Sequence, residues 1–434
     1  MNADVRAIKT PAEQALSAAF AAARNKLPGK GSVVALREDA FRRFDASGLP
    51  HRRIEEWKYT DLRALMRDAK PLAEPAKTTG KVPGLSGVEA GRIAIVNGRY
   101  EPGWSDFNAH DPGMTLTELF AFAAEEASYR LGNVPGKDDT AVSLNTAFMT
   151  GGVVLRVKKG ARIEKPVHIA HVFVGGAGAA TYPRSVVIVG AGARLTLIES
   201  FDGPDRIDYQ VNSALELVIG EGAHVNHIKV GRDGDAALRI STLGVTVDGK
   251  ANYRDFAFTT GGAVVRNQTF VRFGREGTEA SISGATLIKN RQHVDNTLVI
   301  EHAAGGCTSR ERFRSVLDGE SHGVFQGKIV VEPRAQKTDA KMASHALLLS
   351  DEAEADNKPE LEIFADDVQC GHGATAGALD SGLKFYLMSR GIPEKQAEAL
   401  LIQAFVGEAI EDIAHEDVRE ALLQASVKWL DARA

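Results

Sequence analysis

The chain has 434 residues, 44% hydrophobic and 25% charged, with 52 basic against 57 acidic side chains and a formal net charge of -5. Such a length exceeds one ordinary domain and supports a core without staples, and the acidic balance excludes general binding to nucleic acid or anionic membranes, which needs a basic surface. Two cysteines, Cys307 and Cys370, exclude a disulfide framework.

Met1 is followed by a polar, charged start, and apolar runs such as FAFAAEEA break well short of about 18 residues. Neither a signal segment nor a membrane span is expected, and the cytoplasm is the simplest compartment. Residues 1–150 read as a helical and mixed region. AEQALSAAFAAARNKL and VALREDAFRRFDASG place apolar residues at helical spacing, the second before a Gly stop. RRIEEWKYTDLRAL (52–65) reads as an amphipathic segment anchored by Trp57. DAKPLAEPAKTTGKVPG reads as a linker, RIAIVNGRY as a hairpin with an Asn-Gly turn, and TLTELFAFAAEEASYRL as a helix with Thr115 and Glu118 at capping-box spacing.

From 151 to 377 the texture is short β-branched runs broken by Gly-Ala. Aliphatic-x-x-Gly-Ala-x-aliphatic recurs with glycines at 160, 192 and 222, separations of 32 and 30, and a looser copy places Gly249 a further 27 along. The repeating unit is strand–turn–strand. The connections are too short for crossover helices, and a sandwich would not keep the spacing, so stacked β-helix coils fit best. RISTLGVTV, QTFVRF and NTLVIEH would each be one face of a coil. Residues 378–434 read as a helical hairpin standing off the end of the β-helix, its first helix starting near Pro393 and Glu394, with Ala399, Leu400, Phe405 and Ala409 at helical spacing.

Walker A, dinucleotide-fingerprint, Gly-x-Ser-x-Gly and His-Glu-x-x-His patterns are all missing. No nucleotide hydrolysis is expected of this chain. The pairs His168/His171 and His224/His227 are three apart and so face opposite sides of a strand. Structural or surface roles are expected for these, for His293 and His302, and for Cys307, although basic neighbours in GGCTSRERF would favour a thiolate there.

ADDVQCGHGATAG (365–377) is different. If it is extended, Cys370 and His372 face one side, and a thiolate beside an imidazole suits iron, zinc or copper. The alternative is a small buried Cys and a hydrogen-bonded His at a turn. An iron–sulfur site takes about four protein ligands, mostly cysteines, and the only two cysteines lie 63 positions apart. The stretch is therefore an interface half-site completed by a second chain, or no metal site at all. Asp366 and Asp367 read as solvated.

The run 324–377 resembles the signature of the SufB/SufD family of iron–sulfur cluster assembly proteins: FQGKI, AQKTDA, LLLS, P-x-LEI-x-ADDV and C-x-HGA occur in order. RGIPEKQAEALLIQAF and RIEEWKYTDL resemble its C-terminal and N-terminal motifs. Within the family the chain looks like the SufD branch: Gly373 rather than an acid follows His372, and no cysteine precedes 307. The resemblance implies a mainly β fold, a right-handed parallel β-helix core flanked by N-terminal and C-terminal helical regions. It implies a non-catalytic scaffold subunit in a complex with SufB and two copies of the ATPase SufC, which would dock on the C-terminal helices. The end of the β-helix would face SufB, with His372, and less securely Cys370, sharing transient iron or a nascent cluster with it; no cofactor is expected to be held tightly by this chain alone. Two other readings stand beside it: a purely structural SufC-binding partner or homodimer without iron contact, and a β-helix carbohydrate-active enzyme using Asp366, Asp367 and Asp295, against which stands an aromatic content of only 6%.

Overall fold

A computed structural model describes residues 9–77, 79–107, 111–122 and 135–433. Its centre is a parallel β-solenoid of eight coils, each made of one strand from each of two facing sheets. Sheet one runs from the hairpin Gly91–Val96/Arg99–Tyr100 to Gln369–Gly377; sheet two runs from Met114–Glu118 to Glu354–Ile363. Every strand from Val153 onward pairs in parallel with the strand one coil away. Leu238–Val247, Val264–Phe273 and His293–His302, which contain RISTLGVTV, QTFVRF and NTLVIEH, are consecutive neighbours in sheet two.

The repeat has a backbone cause. Gly160, Gly192 and Gly222 all adopt positive φ (69°, 67° and 66°), a conformation that favours glycine. Each turns its N–H onto a carbonyl of the next coil: Ala191 at 2.9 Å, Glu221 at 2.8 Å and Gly249 at 3.0 Å. The fourth copy is one residue out of the expected register. Lys250 (φ 56°), not Gly249, takes the left-handed position and donates to the Glu276 carbonyl at 2.9 Å. Strand alternation then sends every second side chain into the lumen, where Leu195, Leu197, Val225, Leu243, Val271, Leu298 and Ile329 belong to one continuous core.

Residues before 151 also enter the solenoid. Asn97 (φ 48°) and Gly98 (φ 78°) form the expected hairpin turn. The helix expected from Thr115 begins four residues late: Met114–Glu118 is a strand antiparallel to Val153–Val157, and only Leu119–Phe122 is helical, with 123–134 outside the described residues. Thr115 and Glu118 therefore form no capping box, because sheet pairing overrides the local signal. A capping box does start helix Pro11–Ala23, with Thr10 and Glu13 exchanging side-chain-to-backbone bonds of 3.2 and 2.6 Å. This helix and Ser32–Ser47 pack Leu16, Phe20, Ala40 and Phe44 against Phe148, Tyr182 and Ile240. The Pro-rich stretch after 68 lies on the solenoid rather than free: Leu72 bridges Ala180, and Ala73 and Val82 are buried.

The C-terminal segment differs most from expectation. It forms three helices, Ser381–Ser389, Glu394–Ile410 and Glu416–Asp431, and the last two fold back along sheet one instead of standing off its end. Ile402, Val406, Ile410, Val418, Leu422 and Trp429 pack on the outward residues Ile228, Phe256, Phe258, Leu287 and Val316. Those outward strand positions are apolar, and burying them drives the docking. Leu400 faces out, 46% exposed.

Candidate functional site

The last coil forms the site. Strand Gln369–Gly377 pairs on one side with Asp339–Leu348 and, among the described residues, with no strand on the other. Cys370 stands opposite Ala340 and His372 opposite Met342, both buried in the lumen core, so the thiol and imidazole face the open end of the lumen. A shallow recess there is lined by Lys341, Met342, Gln369, Cys370, Gly371 and His372. The extended reading of the segment thus holds.

Cys370 is half-buried and His372 exposed. Burial pushes the Cys370 thiol up from its ordinary value; a backbone hydrogen bond at Ala340 opposes this, and the charges of Asp339 and Glu311 add to it. The resting group is a neutral thiol, which a soft metal would have to strip of its proton. No three His, Cys, Asp or Glu side chains among the described residues cluster closely enough to hold a metal ion. The pair is open toward solvent along the unpaired edge.

The other residues singled out from sequence lie elsewhere. Asp366 and Asp367 are exposed on the last turn. Cys307 is fully buried, donates weakly to the Arg275 carbonyl at 3.5 Å, and burial pushes its thiol up, so it is structural despite its basic neighbours. Asp295 is buried against Arg266 beneath Trp57, far from any exposed face where acids would meet a sugar. His168 bonds with Ser200 at 2.8 Å on the outside of its strand, while His171 lies inside and bonds with Glu199 at 3.2 Å. His302 is buried beside Ser309 and His293 beside Thr60.

Sequence reading missed two features. Inside the solenoid, Glu199 is shared by His171 and His227, and His227 bonds with Asp255 at 2.6 Å. Burial pushes the Glu199 carboxyl up, but the hydrogen bond with His171 and the His227 imidazole 3.7 Å away outweigh it and hold the group well below the usual range. Residues roughly a coil apart, Glu199, His227 and Asp255, meet only because of the register. The second feature is helix Ser381–Ser389, which buries none of its residues and exposes Leu383 (54%), Phe385 (73%), Tyr386 (54%) and Met388 (41%). The order L-x-F-Y-x-M gives no amphipathic period to signal it.

Comparison with known families matches residues 172–405 to the core domain of the SUF system iron–sulfur cluster assembly proteins SufB and SufD, and residues 11–169 to the N-terminal region of the same proteins. The chain belongs to the SufBD family. SufBD relatives include the iron–sulfur cluster assembly protein SufD of Escherichia coli, 30% identical over 384 residues (87% of this chain, 88% of the relative). A SufBD family protein of Synechocystis is 30% identical over 395 residues (87% and 86%), and SufD of Bacillus subtilis is 25% identical over 386 (86% and 87%). The SufBD core match spans the solenoid from the end of strand Val167–Val172 onward and the first turns of helix Glu394–Ile410. The chain is thus a SufD homologue in a family of iron–sulfur cluster assembly proteins.

Proposed function

We propose that this chain is the SufD-type scaffold subunit of a SUF assembly complex. Its open last coil meets a SufB partner, and its C-terminal helices dock the SufC ATPase. Iron, or a nascent iron–sulfur cluster, is the cargo. Cys370 and His372 supply one half of its ligand shell, and SufB supplies the rest. The observation that carries this reading is the placement of a thiol and an imidazole on the lumen side of an unpaired edge strand. One thiol and one imidazole are too few for a cluster, and the edge that bears them is the natural place for a second chain to add the other ligands. The exposed Leu383, Phe385, Tyr386 and Met388 give SufC an apolar surface. The chain works without a catalytic centre of its own, in the cytoplasm, and transmits SufC movement through a stiff rod.

A second reading has its own support. Among the described residues no three metal-ligating side chains cluster; on this reading the chain is a structural partner, paired with SufB or with a copy of itself, that leaves iron to SufB. One experiment separates the two. The chain is co-expressed anaerobically with SufB and SufC, and iron and acid-labile sulfide are measured in the purified complex. Wild type is compared with a Cys370→Ala/His372→Ala double substitution. Because both residues sit on an exposed edge strand, the variant is expected to fold and assemble. Loss of iron from an intact complex supports the half-site; unchanged iron and sulfide leave the structural reading.

A further inference from the structure

Beneath the recess the solenoid buries an acid with no role in the reading above. Glu311 stands in the row Ile282–Glu311–Met342–His372, beside the row Ala280–Ser309–Ala340–Cys370. Ile282, Phe313 and Met342 belong to the lumen core, so Glu311, two residues from Phe313, also points into the lumen. It is 0% exposed, and neither carboxylate oxygen completes a hydrogen bond of normal geometry. The Ser309 hydroxyl approaches it but is engaged by His302 at 3.0 Å.

Burial pushes the Glu311 carboxyl up to about 8, against the opposing influence of Ser309 and Arg310. The acid is therefore mostly neutral at neutral pH. Around it, His302 is held down to about 4 by burial and is uncharged, and Arg310 is paired with Asp339 at 2.6 Å. When ionised, Glu311 also pushes the Cys370 thiol up across the lumen.

We propose that Glu311 is the buried counter-charge of the Cys370/His372 recess: an acid that stays protonated until a divalent cation is seated there, then releases its proton and stabilises that cation through the lumen. The inference rests on the half-site reading. Glu311 acts as a positioning residue rather than a ligand, because Met342 stands between it and His372. The step balances. Seating the cation on Cys370 breaks the S–H bond, forms a metal–sulfur bond and sends one proton to solvent, so the recess gains one net positive charge. That charge lies about 10 Å from Glu311, two strand spacings away. At an effective dielectric of about 20 it weakens the acid's hold on its proton roughly tenfold, and a fraction of a second proton follows to solvent.

The test uses the full chain titrated anaerobically with Co²⁺, read by the thiolate-to-cobalt absorption band and by calorimetry in two buffers of different ionisation enthalpy. Glu311→Gln is expected to bind Co²⁺ less than twofold more weakly than wild type at pH 6.5 but about tenfold more weakly at pH 8.5. It should release roughly half a proton fewer per ion at pH 7.5. Glu311→Leu should show the same losses with an unchanged or raised melting temperature, which separates the effect from misfolding. Equal affinity and equal proton release in Glu311→Gln and wild type would overturn the inference, while leaving the half-site intact if Cys370→Ala/His372→Ala abolishes the band. Binding that survives that double substitution would overturn the half-site and the inference with it, whereas no saturable band in wild type would overturn the inference alone, because the half-site takes its other ligands from SufB.

Discussion

Replacing Asp295 with alanine should unfasten the N-terminal segment from the solenoid. Asp295 is 0% exposed and pairs with Arg266, itself 1% exposed. It also accepts from the hydroxyls of Thr60 at 2.5 Å and Thr297 at 2.9 Å and from the Gln326 amide at 3.2 Å. The second guanidinium nitrogen of Arg266 donates to the Glu56 carbonyl at 2.7 Å, and its carbon lies 3.9 Å from the Trp57 ring centroid. Two links complete the strap: Trp57 Nε1 to Asp139 at 3.1 Å, and Lys358 on the last coil to Glu55 at 2.9 Å. Asp295→Ala leaves a buried guanidinium without its carboxylate, which costs about 3–5 kcal/mol. Urea unfolding followed by circular dichroism measures the loss, and limited proteolysis at Arg52, Arg53 and Lys58 reports opening of the strap first. A double Arg266→Leu/Asp295→Leu variant should recover most of the loss, since it removes the stranded charge along with its partner. A loss below about 1 kcal/mol in Asp295→Ala, or a double variant worse than the single one, would refute the reasoning.

Three other outcomes are expected. Burial holds His168 down to about 3 and His293 and His302 to about 4, so the unfolded chain binds their protons first and stability falls as pH drops from 6.5 toward 4. Each contributes up to about 1.4 kcal/mol per pH unit, and His302→Gln should flatten the slope of unfolding free energy against pH by that amount. Lys250 holds a left-handed conformation that glycine holds in three equivalent turns, so Lys250→Gly should stabilise the chain by up to about 1 kcal/mol in urea unfolding. Phe385 is 73% exposed in the middle of an apolar patch, and Phe385→Ala should weaken capture of SufC by about tenfold or more in a binding assay while leaving the melting temperature unchanged.

The solenoid was legible because its cause is local: three glycines at one turn position, spaced by coil length, each followed by alternating aliphatics. The same rule explains the slip at Gly249. A lysine held in the left-handed position leaves no mark in sequence, whereas the glycine beside it does. Cys370 and His372 could be placed on one face from strand alternation alone. Thr115–Glu118 was read as a helix start because its capping pattern is real; pairing with Val153–Val157 decided otherwise, and that partner lies far along the chain. The docking of the C-terminal helices was hidden for a related reason. Their target is the outward positions Ile228, Phe256, Leu287 and Val316, and which face of a β-helix strand is outward emerges only when the coils close. Glu311 and the Glu199–His227–Asp255 network share that property, since their neighbours are set by register.

The two ends of the solenoid are finished differently, and the difference bears on function. At the first end both sheets stop at antiparallel strands, Arg99–Tyr100 and Met114–Glu118. At the last end the edge strand of sheet two, Glu354–Ile363, carries Glu354, Asp356, Lys358, Glu360 and Glu362, the kind of charge that discourages pairing with another chain. Its neighbour Gln369–Gly377 has no Asp, Glu, Lys or Arg, and Gly371, Gly373 and Gly377 have open space where a Cβ would stand. A bare, uncharged, glycine-rich edge is a liability for a chain that works alone, because it invites strand addition. Keeping it bare beside a charged neighbour makes sense if a specific partner strand is meant to cover it. The segment left unguarded is the one that carries Cys370 and His372, so a partner that completes the sheet would also close the recess they line.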